Sequence, residues 1–395
     1  MSGETATAFD VEFRLLLACS GKHADRGMIL SLLGQTTDWE NLVRYAQRHG
    51  LTPQLCQRLE EVGLPLTSPV SELVKSNIRQ IARQNLLLTA ELLRIIRAFV
   101  GENIPAIPYK GPVLAATTYG DLAMRGFCDL DVLVSEKDLS RALRIMPGLG
   151  YRPEYSLTPA QEARYLSSTC EYNFLNESSQ ARAEIHWQVI PPKFGLTFEF
   201  DRLWHRARFL SIGGSRLPVL SPEDGLLVLS VHGFKHLWDC LKWVCDIANL
   251  LSPPEELDWA YIVREADRIG AMRVVLIALS LANQIFQSCL PDPIRLRLSR
   301  DPAAVSIARE IVNSYALGCS MSRMKARLLM LRAYTGFGDR ATHVARSLLD
   351  PTMEELIRAP ERSMVVMRTQ QAFHVARQVV VHFSKAQKTN NRRIS

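Results

Sequence analysis

Two aspartates, Asp129 and Asp131, lie one residue apart in the segment "CDLDVLV", which otherwise has the alternating pattern of a strand. Successive side chains of a strand point to opposite faces, so both carboxylates are predicted to share one face. Like charges at this separation repel each other, and each is costly where water is scarce. A divalent cation turns the repulsion into coordination, and hard Mg²⁺ prefers carboxylate oxygens. On its own, the pair is more typical of an exposed strand edge with two solvated acids.

A third carboxylate follows in "ARAEIHWQV", where Glu184 and His186 alternate with Ile185 and Trp187. If this strand pairs beside the first, Glu184 completes a cluster that can hold two metal ions roughly 3.5–4 Å apart, as in-line nucleotidyl transfer requires. Glu184 could also accept the proton of the acceptor. The predicted catalytic and metal-binding residues are Asp129, Asp131 and Glu184, and the expected cofactor is Mg²⁺ or Mn²⁺. Without a cation, an Asp→Asn change at either aspartate is expected to leave the fold intact or slightly stabilised, because repulsion is relieved.

The residues just before the aspartates suit phosphate binding. Gly111 follows a predicted strand, and Pro112 suits the first turn of a helix, so backbone N–H groups there could face an anion. Lys110 lies at this turn and Arg125 precedes Asp129 by four residues, and either could neutralise triphosphate oxygens. The alternatives are an exposed turn lysine for Lys110 and a structural ion pair for Arg125.

The elements around these motifs predict an α+β fold. Apolar residues at helical spacing predict helices before the motifs and again from Ser221 onward. Between them, "IPAIPYKG" and "CDLDVLV" predict strands, and "EYNFLNESSQARAEIHWQVI" and "FLSIGGSRLPVL" predict hairpins. The expected architecture is a small mixed β-sheet core with helices, flanked by helical regions. The predicted segments are an N-terminal helical region (1–100), the core (101–220), a C-terminal helical domain (221–385) and a disordered basic tail (386–395).

A polar stripe is predicted on one long helix, "PEDGLLVLSVHGFKHLWDCLKWVCDIANLL". Its polar residues recur at three- and four-residue steps; they are His232, Lys235, His236, Asp239, Lys242 and Asp246. The H-x-x-x-H spacing would need glutamate at position 233 for a zinc protease, and this chain has Gly233. The alternative to a functional stripe is a solvated face with histidines packed on tryptophans. Trp238 and Trp243 are expected in the core.

Together these motifs resemble the nucleotidyltransferase superfamily typified by DNA polymerase beta, and more closely an uncharacterised nucleotidyltransferase family of bacteria. The resemblance rests on "YKGP", "RGFCDLDVLV", "AEIHWQV" and the histidine-containing helix, and covers roughly residues 10–290. It implies that Asp129, Asp131 and Glu184 bind metal. It also implies a nucleotide-binding set of Lys110, Gly111, Arg125, His232, Lys235 and His236. Two departures are Cys128, where the family has serine, and Lys-Gly-Pro, where the wider superfamily has Gly-Ser.

The amino-acid composition limits which classes of partner are expected. Seven of the 47 lysines and arginines and none of the 40 acids follow Glu361, so residues 1–361 are neutral and the net charge of +7 belongs to residues 362–395. A neutral body argues against an extended nucleic-acid footprint; the basic tail could contact an acidic partner. The eight cysteines lack a C-x-x-C pair, which predicts reduced thiols and no zinc site. With no predicted membrane span or signal peptide, a cytoplasmic protein is expected.

These observations predict an enzyme that transfers a nucleoside monophosphate from an NTP, with ATP expected, to an unknown small-molecule or protein acceptor, releasing pyrophosphate. One alternative is a regulatory or scaffold protein that binds nucleotide on the same fold without chemistry. Another is protein AMPylation, which shares the chemistry and differs in the acceptor. Acceptor choice depends on pocket shape, which the sequence leaves open.

Overall fold

The structure, a computed structural model, describes residues 9–21, 25–36, 38–63, 69–251, 256–316 and 321–334. These residues form two compact units. Apart from the gaps between those ranges, the larger unit comprises residues 9–154, 170–190 and 196–334, and the smaller comprises 155–169 and 191–195. The predicted four-segment division stays a prediction, and its tail lies outside the described residues.

Among the described residues, five helices precede the sheet, and the sequence supplies a capping residue at several of their ends. Asp10, Asp25 and Asp38 each accept hydrogen bonds from backbone N–H groups of the first helical turn that follows them. Gly50 ends the third helix in the left-handed region, at φ +67°, where glycine is unstrained. The helices are α1 (Val11–Ser20), α2 (Arg26–Leu33), α3 (Trp39–His49), α4 (Thr52–Glu61) and α5 (Pro69–Gly101).

A five-stranded mixed sheet forms the centre of the larger unit, with strand order β1-β2-β5-β4-β3. The strands are β1 (Ala106–Pro108), β2 (Asp129–Val134), β3 (Tyr151–Pro153), β4 (Glu171–Asn176) and β5 (Arg182–His186). β2 and β5 run parallel, and the other neighbours are antiparallel. The helix α6 (Gly111–Leu114) follows β1 and continues into a π-helical turn, Ala115–Tyr119, while α7 (Leu139–Ile145) follows β2. The smaller unit contains α8 (Pro159–Ser168).

Both predicted hairpins are confirmed. β4 and β5 pair antiparallel across the polar turn. After α9 (Phe200–Arg206), β6 (Arg208–Ile212) and β7 (Ser215–Val219) pair across Gly213 and Gly214, which both have positive φ. The mixed α+β class is confirmed as well, since the described residues form sixteen α-helices and these two sheets, together with short 3₁₀ and π-helical turns.

The predicted single long helix after Ser221 is wrong. The chain forms α10 (Pro222–Lys235) and α11 (Leu241–Leu250), separated by a turn in which Leu237 and Trp238 have φ of +51° and +55°. The Trp238 ring packs on Gly233: a Cβ at position 233 would lie 2.5 Å from its atoms. Glycine at that position therefore lets the chain fold back, and the polar residues of the predicted stripe are divided between two helices and a turn.

Five further helices complete the described residues: α12 (Trp259–Arg268), α13 (Met272–Phe286), α14 (Asp292–Arg300), α15 (Pro302–Ala316) and α16 (Arg323–Ala333). The central one is α13, whose residues from Val274 to Ala282 are all buried. Across the described ranges, no helix is both long and apolar enough to span a membrane. The seven cysteines within those ranges are free thiols, and four of them are buried.

Candidate active site

The site is built on the two parallel strands β2 and β5. Their register places Asp131 directly beside Glu184, and Asp129 beside Arg182. The strand pairing on which the three-carboxylate cluster depended is therefore present. Asp131 is 2% exposed, whereas the Glu184 side chain retains 26% exposure, so the cluster runs from the interior toward solvent.

Lys110 reaches the cluster from the end of β1. Its Nζ forms an ion pair with Oδ1 of Asp131, and only 11% of the lysine side chain is exposed. The turn that carries it is tight, because Gly111 has φ +57° and a Cβ there would lie 3.3 Å from the Asp129 carbonyl oxygen. Glycine thus allows the turn to lie against β2 and bring Lys110 over the acids.

The second carboxylate oxygen of Asp131, Oδ2, differs from the first in its contacts. Oδ2 is buried and has no hydrogen-bond partner among the described residues. Burial opposes ionisation of this carboxyl, but the Lys110 ammonium and the His186 imidazole hold its pKa well below the usual range. An ionised, buried oxygen that lacks a partner is costly, so this position favours a cation.

The pKa of Asp129 is shifted in the opposite direction. Burial and then the neighbouring Asp131 charge raise the pKa of Asp129, with Lys110 opposing the shift. Two adjacent carboxyls whose pKa values move apart show that the charge of Lys110 does not satisfy both. A divalent cation would supply the missing positive charge.

His186 connects this cluster with a second group of polar residues. Its Nε2 lies 3.2 Å from Oδ1 of Asp131 and 3.3 Å from Oε2 of Glu184, so an N–H there can donate to either carboxylate. Its Nδ1 faces the other way, 3.6 Å from Oε2 of Glu171. Burial disfavours the imidazolium, yet contacts with Asp131, Cys170 and Glu184 hold the pKa of His186 well above its usual value.

Sequence reasoning missed Cys170 and Glu171. Glu171 stands opposite His186 in the β4–β5 register, and Nζ of Lys235 lies 3.2 Å from its Oε2. A lysine from α10 thus meets a carboxylate on the sheet, as Lys110 meets Asp131. The one available signal was the hairpin register, since a residue at the start of β4 must oppose the end of β5.

Arg125 is held by Asp246 of α11. Nε and Nη2 of the arginine each donate to one oxygen of Asp246 at 2.9 Å, and the hydroxyl of Tyr119 donates to Oδ1 at 2.7 Å. The two side chains of the ion pair are 5% and 0% exposed. This is the structural ion pair that the sequence left open as the alternative for Arg125. It occupies the guanidinium, and so counts against the phosphate role that remains predicted for this residue.

His232 and His236 of the predicted nucleotide-binding set lie together against Trp243. The two imidazole centroids are 4.8 Å apart, and they lie 5.4 Å and 5.1 Å from the Trp243 ring. Burial and the nearby lysines lower the pKa of His236 to about 4 and that of His232 well below its usual value. Both rings are therefore neutral at pH 7 and offer hydrogen bonds rather than charge. Trp238 is fully buried, as expected, but Trp243 is only partly so.

The donor set fits a divalent metal. One ligand atom from each of Asp131, Glu184 and His186 lies within 4.8 Å of the others, and Asp129 flanks them on β2. Carboxylate oxygens are the donors that Mg²⁺ and Mn²⁺ prefer, and imidazole is also acceptable to transition metals. The unpartnered Oδ2 of Asp131 and the Lys110 ammonium beside it both mark a place for positive charge.

A protein-family model described as "Uncharacterised nucleotidyltransferase" matches residues 35–287. This chain belongs to that family. Membership makes the protein a nucleotidyltransferase, an enzyme class that takes a nucleoside triphosphate as substrate. All the site residues named above lie within the matched range.

Two solved structures are similar over part of the chain. One is a lincosamide antibiotic adenylyltransferase with lincomycin bound, at 19% identity, covering 41% of this chain and 96% of that one, with a TM-score of 0.29. The other is an antigenic nucleotidyltransferase-like protein from Paracoccidioides brasiliensis, at 12% identity, covering 56% of this chain and 92% of that one, with a TM-score of 0.29. No curated protein matches the sequence. At these TM-scores neither likeness carries an argument, and the assignment to the family rests on the family model alone.

Proposed function

We propose that the protein is a metal-dependent nucleotidyltransferase that transfers a nucleoside monophosphate from an NTP, with ATP expected, to the hydroxyl or phosphate of a small-molecule or protein acceptor. Pyrophosphate is the leaving group. The observation that carries the proposal is the pairing of Asp131 with Glu184 across parallel strands, where Oδ1 of Asp131 contacts Lys110 and Oδ2 is buried without a partner among the described residues.

In this proposal Asp129, Asp131 and Glu184 hold Mg²⁺ or Mn²⁺. The bound metal supplies activation of the acceptor oxygen and neutralisation of the pyrophosphate. Lys110 pairs with Asp131. If a metal shared that carboxylate, the ammonium of Lys110 would be available to triphosphate oxygens beside it.

The remaining residues orient and complete the site. His186 presents Nε2 to both Asp131 and Glu184 and so restrains the two carboxylates. Glu184 is the more exposed of the two, which suits a group that accepts the proton of the acceptor. Lys235, together with His232 and His236, supplies a cationic and polar wall from α10 and the turn that follows it.

The proposal is tested by thermal unfolding with each of the four NTPs, in the presence and absence of Mg²⁺ or Mn²⁺. A ligand at about 100 times its Kd stabilises the native state by roughly 2.7 kcal/mol, so a specific NTP must raise Tm. We expect a metal-dependent rise for one NTP that disappears in the Asp129→Asn/Asp131→Asn double variant. The matched control is Glu177→Gln, an acid exposed in the β4–β5 turn, which keeps the rise.

Turnover is measured next as pyrophosphate release across a panel of hydroxyl, phosphate and protein acceptors. Loss of pyrophosphate release in the double variant, but not in Glu177→Gln, supports catalysis at these carboxylates. A double variant with full activity contradicts the site assignment. A metal-dependent NTP shift without pyrophosphate release for any acceptor would instead favour the non-catalytic nucleotide-binding alternative, and release only with protein acceptors would favour AMPylation.

A further inference from the structure

A second group of metal-ligand types lies behind the carboxylate cluster. Cys170 and Glu171 at the start of β4 meet His186 at the end of β5, and one ligand atom from each lies within 4.8 Å of the others. The scattered cysteine spacing predicted no zinc site, because C-x-x-C pairs are absent. Here the strand register, and not the local spacing, brings the thiol, carboxylate and imidazole together.

The distances match a tetrahedral metal site. Sγ of Cys170 lies 3.4 Å from Oε2 of Glu171, and Nδ1 of His186 lies 3.6 Å from the same oxygen. Metal bonds of about 2.0–2.3 Å at tetrahedral angles separate neighbouring ligand atoms by about 3.3–3.8 Å. Two of the three ligand pairs therefore already have the spacing of neighbouring corners of such a site, and the third pair, Cys170 with His186, lies within 4.8 Å.

An independent observation points to a ligand. Nδ1 of His186 is buried and has no partner in hydrogen-bond geometry among the described residues, although the residue is only 1% exposed. Its other nitrogen faces the carboxylates of Asp131 and Glu184. Histidines that bind a metal commonly donate their second N–H to a carboxylate, which fixes the ring. His186 has that second contact, and its Nδ1 faces Glu171 at 3.6 Å, with Cys170 beside it.

The exposure and the charge of the neighbouring residues also suit a bound cation. Glu171 and Lys235 retain 22% and 20% side-chain exposure, so a cation can reach the group from the α10 side. Glu171 already pairs with the positive charge of Lys235. A cation bound there would replace this ammonium, just as a metal on Asp131 would replace that of Lys110.

We propose that Cys170, Glu171 and His186 bind a thiophilic divalent cation of the zinc type, at a site distinct from the carboxylate cluster and joined to it through His186. Binding releases the thiol proton of Cys170 and any proton on Nδ1 to solvent, because only the thiolate and the bare nitrogen coordinate. A thiolate and an imidazole select zinc-like ions over Mg²⁺. The fourth position is open to water.

The test titrates the full-length, metal-free protein with Co²⁺, the spectroscopic substitute for zinc, in the absence of any nucleotide. We expect one Co²⁺ per chain with a near-ultraviolet thiolate-to-cobalt absorption band. Cys170→Ser should abolish the band, and Zn²⁺ should displace the cobalt. The matched control is Cys128→Ser, which removes an exposed thiol beside Asp129 and should retain the band.

Glu171→Gln provides a second variant in case Cys170→Ser does not fold, because Glu171 is partly exposed and tolerates substitution better. It should weaken Co²⁺ binding at least tenfold while keeping the thiolate band at saturation. No thiolate band in the wild type, or an unchanged band in Cys170→Ser, overturns the proposal. The band should persist in Asp129→Asn, so its presence or absence is independent of whether the nucleotide experiment above succeeds.

Discussion

Two buried aspartates, Asp131 and Asp246, each meet a basic side chain, but their surroundings differ. Asp246 accepts two hydrogen bonds from Arg125 and a third from Tyr119, so both of its oxygens are engaged. Asp131 has Lys110 and His186 on Oδ1, while its Oδ2 has no partner among the described residues. Both carboxylates are almost fully buried.

This difference distinguishes a structural ion pair from a candidate binding residue. A buried carboxylate with every oxygen engaged is complete, and the Arg125–Asp246 pair fixes α11 against the segment that enters β2. A buried carboxylate with an open oxygen is costly unless something else engages that oxygen. Asp131 is therefore the residue we assign to the proposed metal site, while Asp246 belongs to the scaffold around it.

The largest loss of stability is expected from breaking the Arg125–Asp246 ion pair. Asp246→Asn leaves the Arg125 guanidinium buried without its counter-charge, and should lower the free energy of unfolding by about 3–5 kcal/mol. Chemical denaturation measures the loss. Replacing both partners by apolar residues of similar volume should restore most of it, because no charge is then left buried. A loss below about 1 kcal/mol in the single variant would contradict the scaffold role.

His49 is a buried neutral side chain with a hydrogen-bond partner, like the satisfied Arg125–Asp246 pair. It predicts that the protein loses stability in acid. Its Nδ1 accepts a hydrogen bond from the Leu241 N–H at 3.3 Å, and burial lowers the pKa of His49 to about 4. An unfolded histidine titrates near 6.5. Between these values the unfolded chain binds a proton that the native state does not, so stability is full above pH 6.5 and falls by roughly 3 kcal/mol as the pH drops to 4.

Unfolding free energies measured between pH 4 and 7 test this in the wild type, His49→Gln and the exposed-residue control His205→Gln. Other buried histidines contribute to the wild-type slope, so the informative quantity is the difference between the variants. We expect a shallower slope in His49→Gln alone. Equal slopes in the three proteins would show that His49 is not held neutral.

In the metal-free protein, substitutions of Asp131 and Asp129 should have different effects on the free energy of unfolding. Asp131→Asn removes the counter-charge of Lys110 and should lower the free energy of unfolding by about 1–3 kcal/mol. Asp129→Asn should leave stability unchanged or slightly raised, because it relieves repulsion from Asp131. The sequence alone predicted the milder result for both positions, and the Lys110 contact is the reason for revising it at Asp131. Equal effects in thermal unfolding would contradict the pairing.

The smallest effect is expected where a pair is exposed. Arg152 and Glu177 form an ion pair at 3.2 Å with side chains 74% and 62% exposed. Water screens such a pair, so Glu177→Gln should change the free energy of unfolding by less than about 1 kcal/mol. A larger loss would mean that ion-pair geometry, rather than burial and completeness, determines stability in this protein.

Local sequence predicted much of the fold and the core of the site. Period-two alternation placed Asp129, Asp131 and Glu184 on strands, and the polar and glycine turns predicted both hairpins. These features depend on residues close in sequence, whose periodicity and turn chemistry are directly visible.

The parts that were missed depend on distant contacts. Asp246 lies 121 residues from Arg125, so nothing local identifies it as the partner. The break after α10 depends on Trp238 packing against Gly233 with a left-handed backbone at a tryptophan, which propensities do not indicate. Glu171 became visible only through the register of β4 against β5.

The most direct test of the central claim is Mn²⁺ binding by the metal-free protein with a non-hydrolysable NTP analogue, followed by electron paramagnetic resonance. We predict that the wild type and Glu177→Gln bind Mn²⁺ with the same affinity, and that Asp131→Asn binds it at least tenfold more weakly. Equal Mn²⁺ affinity in the wild type and Asp131→Asn would show that the open oxygen of Asp131 is not a metal ligand, and would contradict the account.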